Sequence, residues 1–364
     1  MSYNNAGLFY AKQNQPDKAE KYLLDAIEIY DRLVKKNAAA YEPDLANSYN
    51  NAGTFYDDQN KPEKAEKYLL DAIEIRERLV EKNADAFEPD LATSYNNAGI
   101  FYSDQGQSEK AEKYYLAAME IYERLVEKNA DAYESYLAGS YNNAGNFYKD
   151  QGQPKKAEKY YLAAIEIRER LVKKNAAAYE PDLAGSYNNA GNFYKDQDQP
   201  QKAEKYYLAA IEIYERLVKK NADAYEPDLA GSYNNAGDFY DDQNQPEKAE
   251  KYYLDAIEIR ERLVLKSAGL YENNLADSYK NMADFYKKRG RLSKTKKYYL
   301  AAIEIYERLA EKNADAYEPE LATLYYNYYL LKKDKTYLDK AYEIAKRRQD
   351  DPRCKTIVEF VESM

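Results

Sequence analysis

The chain of 364 residues has no histidine, no tryptophan and one cysteine, Cys354. Histidine is the side chain that ordinarily titrates near neutrality, so the usual general base and metal ligand is missing. A single thiol makes no intrachain disulfide and builds no cysteine-based zinc site. No apolar run approaches the ~20 residues of a membrane span. The N-terminus, MSYNNAGLFY, has no basic segment leading into an apolar one, and neither an N-x-S/T acceptor nor a Gly-rich phosphate loop occurs. These absences leave no catalytic constellation, no cofactor and no metal site, and they predict a non-enzymatic, cytoplasmic protein. The balance of 54 basic against 64 acidic residues, a net charge of −10, argues against nucleic acid and anionic membrane as partners.

What the chain has in abundance is tyrosine, 43 residues of it, placed at intervals. Tyr3, Tyr49, Tyr95, Tyr141, Tyr187, Tyr233, Tyr279 and Tyr325 are spaced by 46 residues, which makes eight copies of one unit. A fixed period of 20–50 residues marks a repeat array, in which each unit touches only its neighbours. In the copy around Tyr187, Pro181 is read as the start of a first helix, since proline fits the first turn. Leu183, Tyr187, Ala190, Gly191 and Tyr194 then share one helical face. This helix ends near Asp196, Gln197 to Gln199 form a link, and Pro200 opens a second helix. Ala203, Tyr207, Ala210, Ile211, Tyr214, Leu217 and Val218 make its apolar stripe, and Asn221 is read as its C-terminal cap. One such hairpin cannot hide its own stripe, so hairpins must stack. A helical glycine costs ~1 kcal/mol relative to alanine, and six units carry one, for example Gly145 and Gly191. A close backbone contact is the expected reason.

The recurring set Tyr141, Ala144-Gly145, Tyr148, Ala157, Tyr161 and Ala164 resembles the tetratricopeptide repeat. The doubled asparagine and the AIEI-R/Y-ERLV run look most like its kinesin-light-chain subtype. Two departures stand out: tyrosine replaces the usual tryptophan or leucine, and no proline closes the second helix, which runs about two turns longer. The resemblance implies an all-α fold, an α-α superhelical solenoid of eight 46-residue hairpins with a C-terminal capping helix. Residues 1–350 would form the solenoid and 351–364 the cap, opened by Pro352. Units two to six, roughly 42–267, are near copies. The first lacks the EPDLA lead-in, so its outer face is expected to need a partner, a further domain or another copy. The seventh and eighth have drifted.

One face of each first helix runs through residues like Gly139, Asn143, Asn146 and Asp150. In the family the corresponding surface lines a concave groove. Asn51, Asn97, Asn143, Asn189, Asn235 and Asn281, with Asn5 and Asn327, keep one place on it in every unit. Asparagine is a poor residue inside a helix. Its amide suits a peptide backbone, and in related repeats this asparagine contacts peptide ligands. Helices ~8–10 Å apart and a chain rising ~3.3 Å per residue would let one asparagine meet every third residue of a bound segment. The alternative is an inter-helix hydrogen bond that fixes register. One turn on, the residue varies: Leu8, Thr54, Ile100, Asn146, Asn192, Asp238, Asp284, Leu330. A turn further, Asp58, Asp104, Asp150, Asp196 and Asp242 make an acidic rail or merely a soluble helix end. An extended, neutral-to-basic protein segment is the partner this surface suits.

Two other regularities bear on packing or docking. Tyr30, Arg76, Tyr122, Arg168, Tyr214, Arg260 and Tyr306 alternate strictly, which suggests guanidinium–ring stacking between neighbours, or descent from a doubled block. Lys287, Lys288, Arg289, Arg291, Lys294, Lys296 and Lys297 gather in the seventh unit, as a solvated surface or a dock for an acidic partner. Three functions fit: a scaffold gripping a partner segment, a self-assembling structural array, or the sensor arm of a larger protein.

Overall fold

The computed structural model describes residues 3–364, which form 17 α-helices and no strand. Packing divides the chain into two compact units, Met1–Ile213 and Tyr214–Met364. The first holds α1 (Tyr3–Lys12), α2 (Pro16–Val34), α3 (Ala38–Asp58), α4 (Pro62–Lys82) and α5 (Ala84–Asp104). It continues with α6 (Ser108–Lys128), α7 (Ala130–Asp150), α8 (Pro154–Lys174) and α9 (Ala176–Asp196). The boundary falls inside α10 (Pro200–Lys220). The second unit holds α11 (Ala222–Asp242), α12 (Pro246–Lys266), α13 (Ala268–Lys288) and α14 (Leu292–Lys312). It closes with α15 (Ala314–Lys332), α16 (Lys335–Arg347) and α17 (Pro352–Glu362), the last packed on α15 and α16. Odd-numbered helices up to α15 are the first helices of hairpins and even-numbered ones the second.

The regular hairpins follow from local chemistry. The three-residue link Gln151-Gly152-Gln153 turns through a left-handed centre, Gly152 at φ 64°, and Asn60 fills the same place at φ 53°. Glycine and asparagine tolerate that region best. The second helix starts at Pro154 as the sequence predicts. The first helix does not start at its proline. Pro181 is the sixth residue of α9, which begins at Ala176. Asn175 is the reason: at φ −152° and ψ 89° its side chain accepts from Ala178 N at 3.2 Å. Its own backbone N–H closes α8 on Leu171 at 2.9 Å. One extended residue thus caps two helices: the asparagine is the C-terminal cap the sequence suggests and also the N-cap of the next helix. Proline so near a helix start removes only the hydrogen bond owed to the Ala177 carbonyl, and the alanine run favours helix.

The added turn brings a carboxylate into each hairpin. Glu134 of α7, 5 % exposed, pairs with Arg170 of α8 at 2.6 Å. Glu42–Arg78, Glu226–Arg262 and Glu272–Arg308 repeat the pair at 2.9–3.1 Å. Tyrosines tie hairpin to hairpin. Tyr148 stacks on Tyr160 (5.5 Å), donates to Glu112 of the preceding second helix (2.8 Å) and sits under Lys156 (4.5 Å). Glu112 is held below its usual range by the hydrogen bonds from Tyr148 and Lys156. Alanines 157 and 164 are fully buried where helices touch.

The glycines answer first to a side chain, and at Gly53 also to the Leu69 backbone nitrogen, 3.1 Å from where a Cβ would lie. A Cβ on Gly145 would lie 2.8 Å from the ring of Tyr161, the residue of α8 that covers it. In the seventh hairpin Ala283 takes the glycine's place, and Thr295 replaces the buried alanine, its hydroxyl bonded to the Arg291 carbonyl at 3.1 Å.

The arginine–tyrosine alternation also resolves differently. Arg76 of α4 reaches into the next hairpin, donating to the Asp90 carbonyl at 2.9 Å and to Ser94 of α5. Arg168 repeats this with Asp182 and Ser186, and Arg260 with Asn274 and Ser278. The tyrosine in the same place sends its hydroxyl back into its own hairpin, while its ring meets Tyr136 or Tyr317 of the next. Tyr122 meets Thr93 at 2.8 Å and Tyr306 donates to Asp277 at 2.7 Å. The arginines are therefore bridges to main-chain and serine oxygens, where stacking on a ring had been expected. Burial pulls the Arg260 guanidinium down to about 10, still charged at neutral pH.

Candidate partner-binding face

Within the first unit, successive first helices touch one another directly: α1 with α3, α3 with α5, α5 with α7 and α7 with α9. Successive second helices do not approach to that extent. The first helices therefore occupy the tighter side of this stack. Their outward stripe, at spacing i, i+4, i+7 and i+11, is the one the sequence picks out. A Cβ on Gly139 would meet no atom within 4 Å, so the stripe opens on empty space there, and within the second unit the same holds at Gly231 of α11.

The two asparagines of each doublet divide the work. The first is structural: Asn142 of α7 donates to Ser186 of α9 at 2.8 Å, and Asn4 to Ser48 at 2.8 Å. Asn50 accepts from Ser94 at 3.2 Å, and Asn234 meets Ser278 at 3.0 Å. Ser94, Ser186 and Ser278 are thus hubs where two first helices and a bridging arginine meet. The second asparagine faces outward. Asn51, Asn143, Asn189, Asn235 and Asn281 are half-buried, and their side-chain amides make no hydrogen bond among the described residues. Asn97 differs, donating to Asn50 at 3.2 Å. The sequence reading missed the serine hubs, although the serine recurs at 46-residue spacing from Ser48 to Ser278.

The next residue of the stripe is anchored from below. Asn146 and Asn192 accept from Tyr161 and Tyr207 of their own second helices, both at 2.6 Å. Asp238 accepts from Tyr253 at 2.6 Å, and Asp284 from Tyr299. The side chain one turn further is exposed at Asp150, Asp196 and Asp242. Lys149 lies 3.5 Å from Asp150 and 3.8 Å from Asp196, partly neutralising that section.

At the second hairpin the neighbour of the rail is itself an acid, Asp57. Burial first, then the charges of Asp104 and Asp58, push it up to about 6. A folded-state value above the unfolded one means that the carboxylate opposes folding. That cost is fully present above about pH 6 and gone below about pH 4. Asp57→Asn is therefore expected to stabilise the protein at pH 7 by on the order of 1 kcal/mol, allowing for solvent screening. Urea unfolding at pH 7 and pH 4 checks this: the gain should disappear at the lower pH.

In the second unit an open hollow of about 520 Å³ lies between α11 and α13. Asp238 and Asp241 line one side, Asn281 and Asp284 the other, with Tyr253 of α12 below. Three of the seven cations of the neighbouring basic cluster are ion-paired. Lys288 and Arg289 pair with Asp241, and Lys294 with Glu250 at 2.9 Å. Arg289 also lies 3.9 Å from the centre of the Phe285 ring. Cys354, in α17, is buried, and its thiol is pushed up to about 11 by burial. Among the described residues no group of acids or thiols could hold a metal ion. No helix there is long and apolar enough to cross a membrane.

Comparison with known proteins adds the following. A family model described as tetratricopeptide repeat matches residues 1–78, 90–170 and 182–262, and a second of the same description matches 275–313. No curated protein matches the chain in sequence. Among solved structures, BtubC (BKLC) from P. vanneervenii is 22% identical with a TM-score of 0.54, over 68% of this chain and 92% of that one. A Rap protein complexed with Competence and Sporulation Factor is 16% identical with a TM-score of 0.55, over 95% and 86%. A signal transduction ATPase with a tetratricopeptide repeat sensor, from Pyrococcus horikoshii, is 17% identical with a TM-score of 0.50, over 95% of this chain and 48% of that one. At these identities the likeness is one of fold.

Proposed function

Because the chain belongs to the tetratricopeptide repeat family, whose repeats are generally non-catalytic interaction modules, we propose that it is a scaffold holding an extended protein segment along its first helices. The observation that carries this reading is the division of labour in the asparagine doublet. Register is kept by Asn142 and its equivalents; Asn97 joins them through Asn50, whereas Asn143 makes no such bond. A half-exposed amide with no internal hydrogen bond, found at Asn51, Asn143, Asn189, Asn235 and Asn281, offers a donor and an acceptor to a passing backbone. The exposed aspartates at the helix ends favour a neutral-to-basic segment. A Rap protein of this fold forms a complex with Competence and Sporulation Factor, a pairing of the kind proposed here.

The test is the Asn51→Ala, Asn143→Ala, Asn189→Ala triple variant in quantitative affinity capture from the source cell. Proteins captured by the wild type through this face are expected to be lost, while helicity and melting stay unchanged. An identical set of captured proteins would remove the asparagines from the binding role.

A further inference from the structure

The hollow between α11 and α13 differs from the rest of the stripe in charge and not in architecture. In hairpins four and five the buried tyrosine hydroxyl is received by an amide oxygen, that of Asn146 or Asn192, at 2.6 Å. In hairpins six and seven the same hydroxyl is received by a carboxylate, that of Asp238 at 2.6 Å or that of Asp284. The exchange of amide for carboxylate leaves the geometry in place and lays negative charge on the floor of a cavity.

The cations nearby do not cancel it. Lys288 is 2.8 Å from Asp241, which it shares with Arg289, and Lys287 lies 5.9 Å from the centre of the Tyr299 ring. Asp241 thus takes two cations, while Asp284 has a neutral phenol as its hydrogen-bond partner. Tyr253, at the base of the hollow, is raised above its ordinary value by burial and then by Asp238, Asp241 and Asp242. Lys287 and Lys288 also line the hollow, so its walls carry three carboxylates against two ammonium groups. Asn281 stands on the rim, one turn before Asp284, with its amide unengaged. The cavity, about 520 Å³, has room for one long side chain.

We propose that this hollow is a subsite for a lysine or arginine side chain of the bound segment, ion-paired to Asp284 while Asn281 holds the adjoining backbone. The inference rests on the segment-binding reading and adds a requirement to it. The segment carries a basic residue where it crosses hairpins six and seven, and none is demanded at hairpins four and five. A long aliphatic stem lets the charged head reach the carboxylate from the mouth of the hollow.

The probe is a set of amidated nonapeptide pools, degenerate at every position except the central one, which is fixed as arginine, citrulline or glutamate. Citrulline keeps the shape of arginine and lacks its charge. Binding to the full chain is followed by fluorescence anisotropy, and the arginine pool is expected to bind about tenfold more tightly than the citrulline pool. Asp284→Asn should bring the two together. That variant copies the residue of hairpins four and five, so its thermal melt should match wild type. Asn281→Ala should weaken all pools by a similar factor. Measurable binding with no arginine preference, or a preference that survives Asp284→Asn, overturns the subsite and leaves segment binding standing. Failure of every pool to bind overturns both.

Discussion

Tyr161→Ala is expected to destabilise the protein by about 4 kcal/mol, the range for truncating a buried aromatic. Tyr161 is 1 % exposed, its ring covers Gly145 and lies 5.4 Å from Phe193, and its hydroxyl donates to Asn146. Alanine would leave a ring-sized void between two helices and the next hairpin. Tyr161→Leu should cost less than half as much. The chain itself supplies the reason, because hairpins one and two place Leu23 and Leu69 against Gly7 and Gly53 at the same position. Urea unfolding followed by far-UV circular dichroism separates the two variants. Equal losses would mean that the hydroxyl, and not the ring's volume, holds the site.

Arg76→Met is the second large effect, expected at about 3 kcal/mol. Methionine keeps the aliphatic stem and removes the donors. The Asp90 carbonyl, Ser94 and Asn47 then lose their charged partner inside the stack, and buried acceptors left open cost ~1–3 kcal/mol each. Tyr122→Phe, the matching change in the next hairpin, removes the bond to Thr93 and a longer one to the Pro89 carbonyl and should cost about 1 kcal/mol. The difference has a structural meaning. The Arg76 guanidinium hydrogen-bonds both its own hairpin, at Asn47, and its successor, at Asp90 and Ser94, whereas the Tyr122 hydroxyl bonds within its own hairpin. A double-mutant cycle of Arg76→Met with Ser94→Ala should show coupling between the two sites. Additive losses, or an Arg76→Met cost no larger than that of Tyr122→Phe, would reject the bridge.

Much of this architecture was legible because its causes are local and repeated. The 46-residue period, the three-residue link, the start of the second helix at Pro200 and its end before Asn221 follow from residue types a few positions apart. The first helix was misjudged because two local signals compete. Pro181 reads as a helix start and Asn175 as a helix stop, whereas Asn175 serves both helices and the proline is carried inside. The arginines were misassigned for a different reason. Their partners lie 14 and 18 residues downstream in another helix, beyond any periodic pattern. On the candidate face, helical spacing picked out Asn143 as the outward member of its doublet. Spacing could not reveal that Tyr253 rises between α11 and α13 to make the base of a hollow.

The single residue between hairpins has a consequence for how such a chain can change. Asn175 is all that separates the end of α8 at Lys174 from the start of α9 at Ala176. A helix turns ~100° per residue, so one inserted or deleted residue at this joint would swing every later hairpin away from its seat. There is no slack to absorb the error. Growth and shrinkage are confined to whole multiples of the period, and neighbouring copies are interchangeable parts that recombination can add or drop without disturbing the remainder.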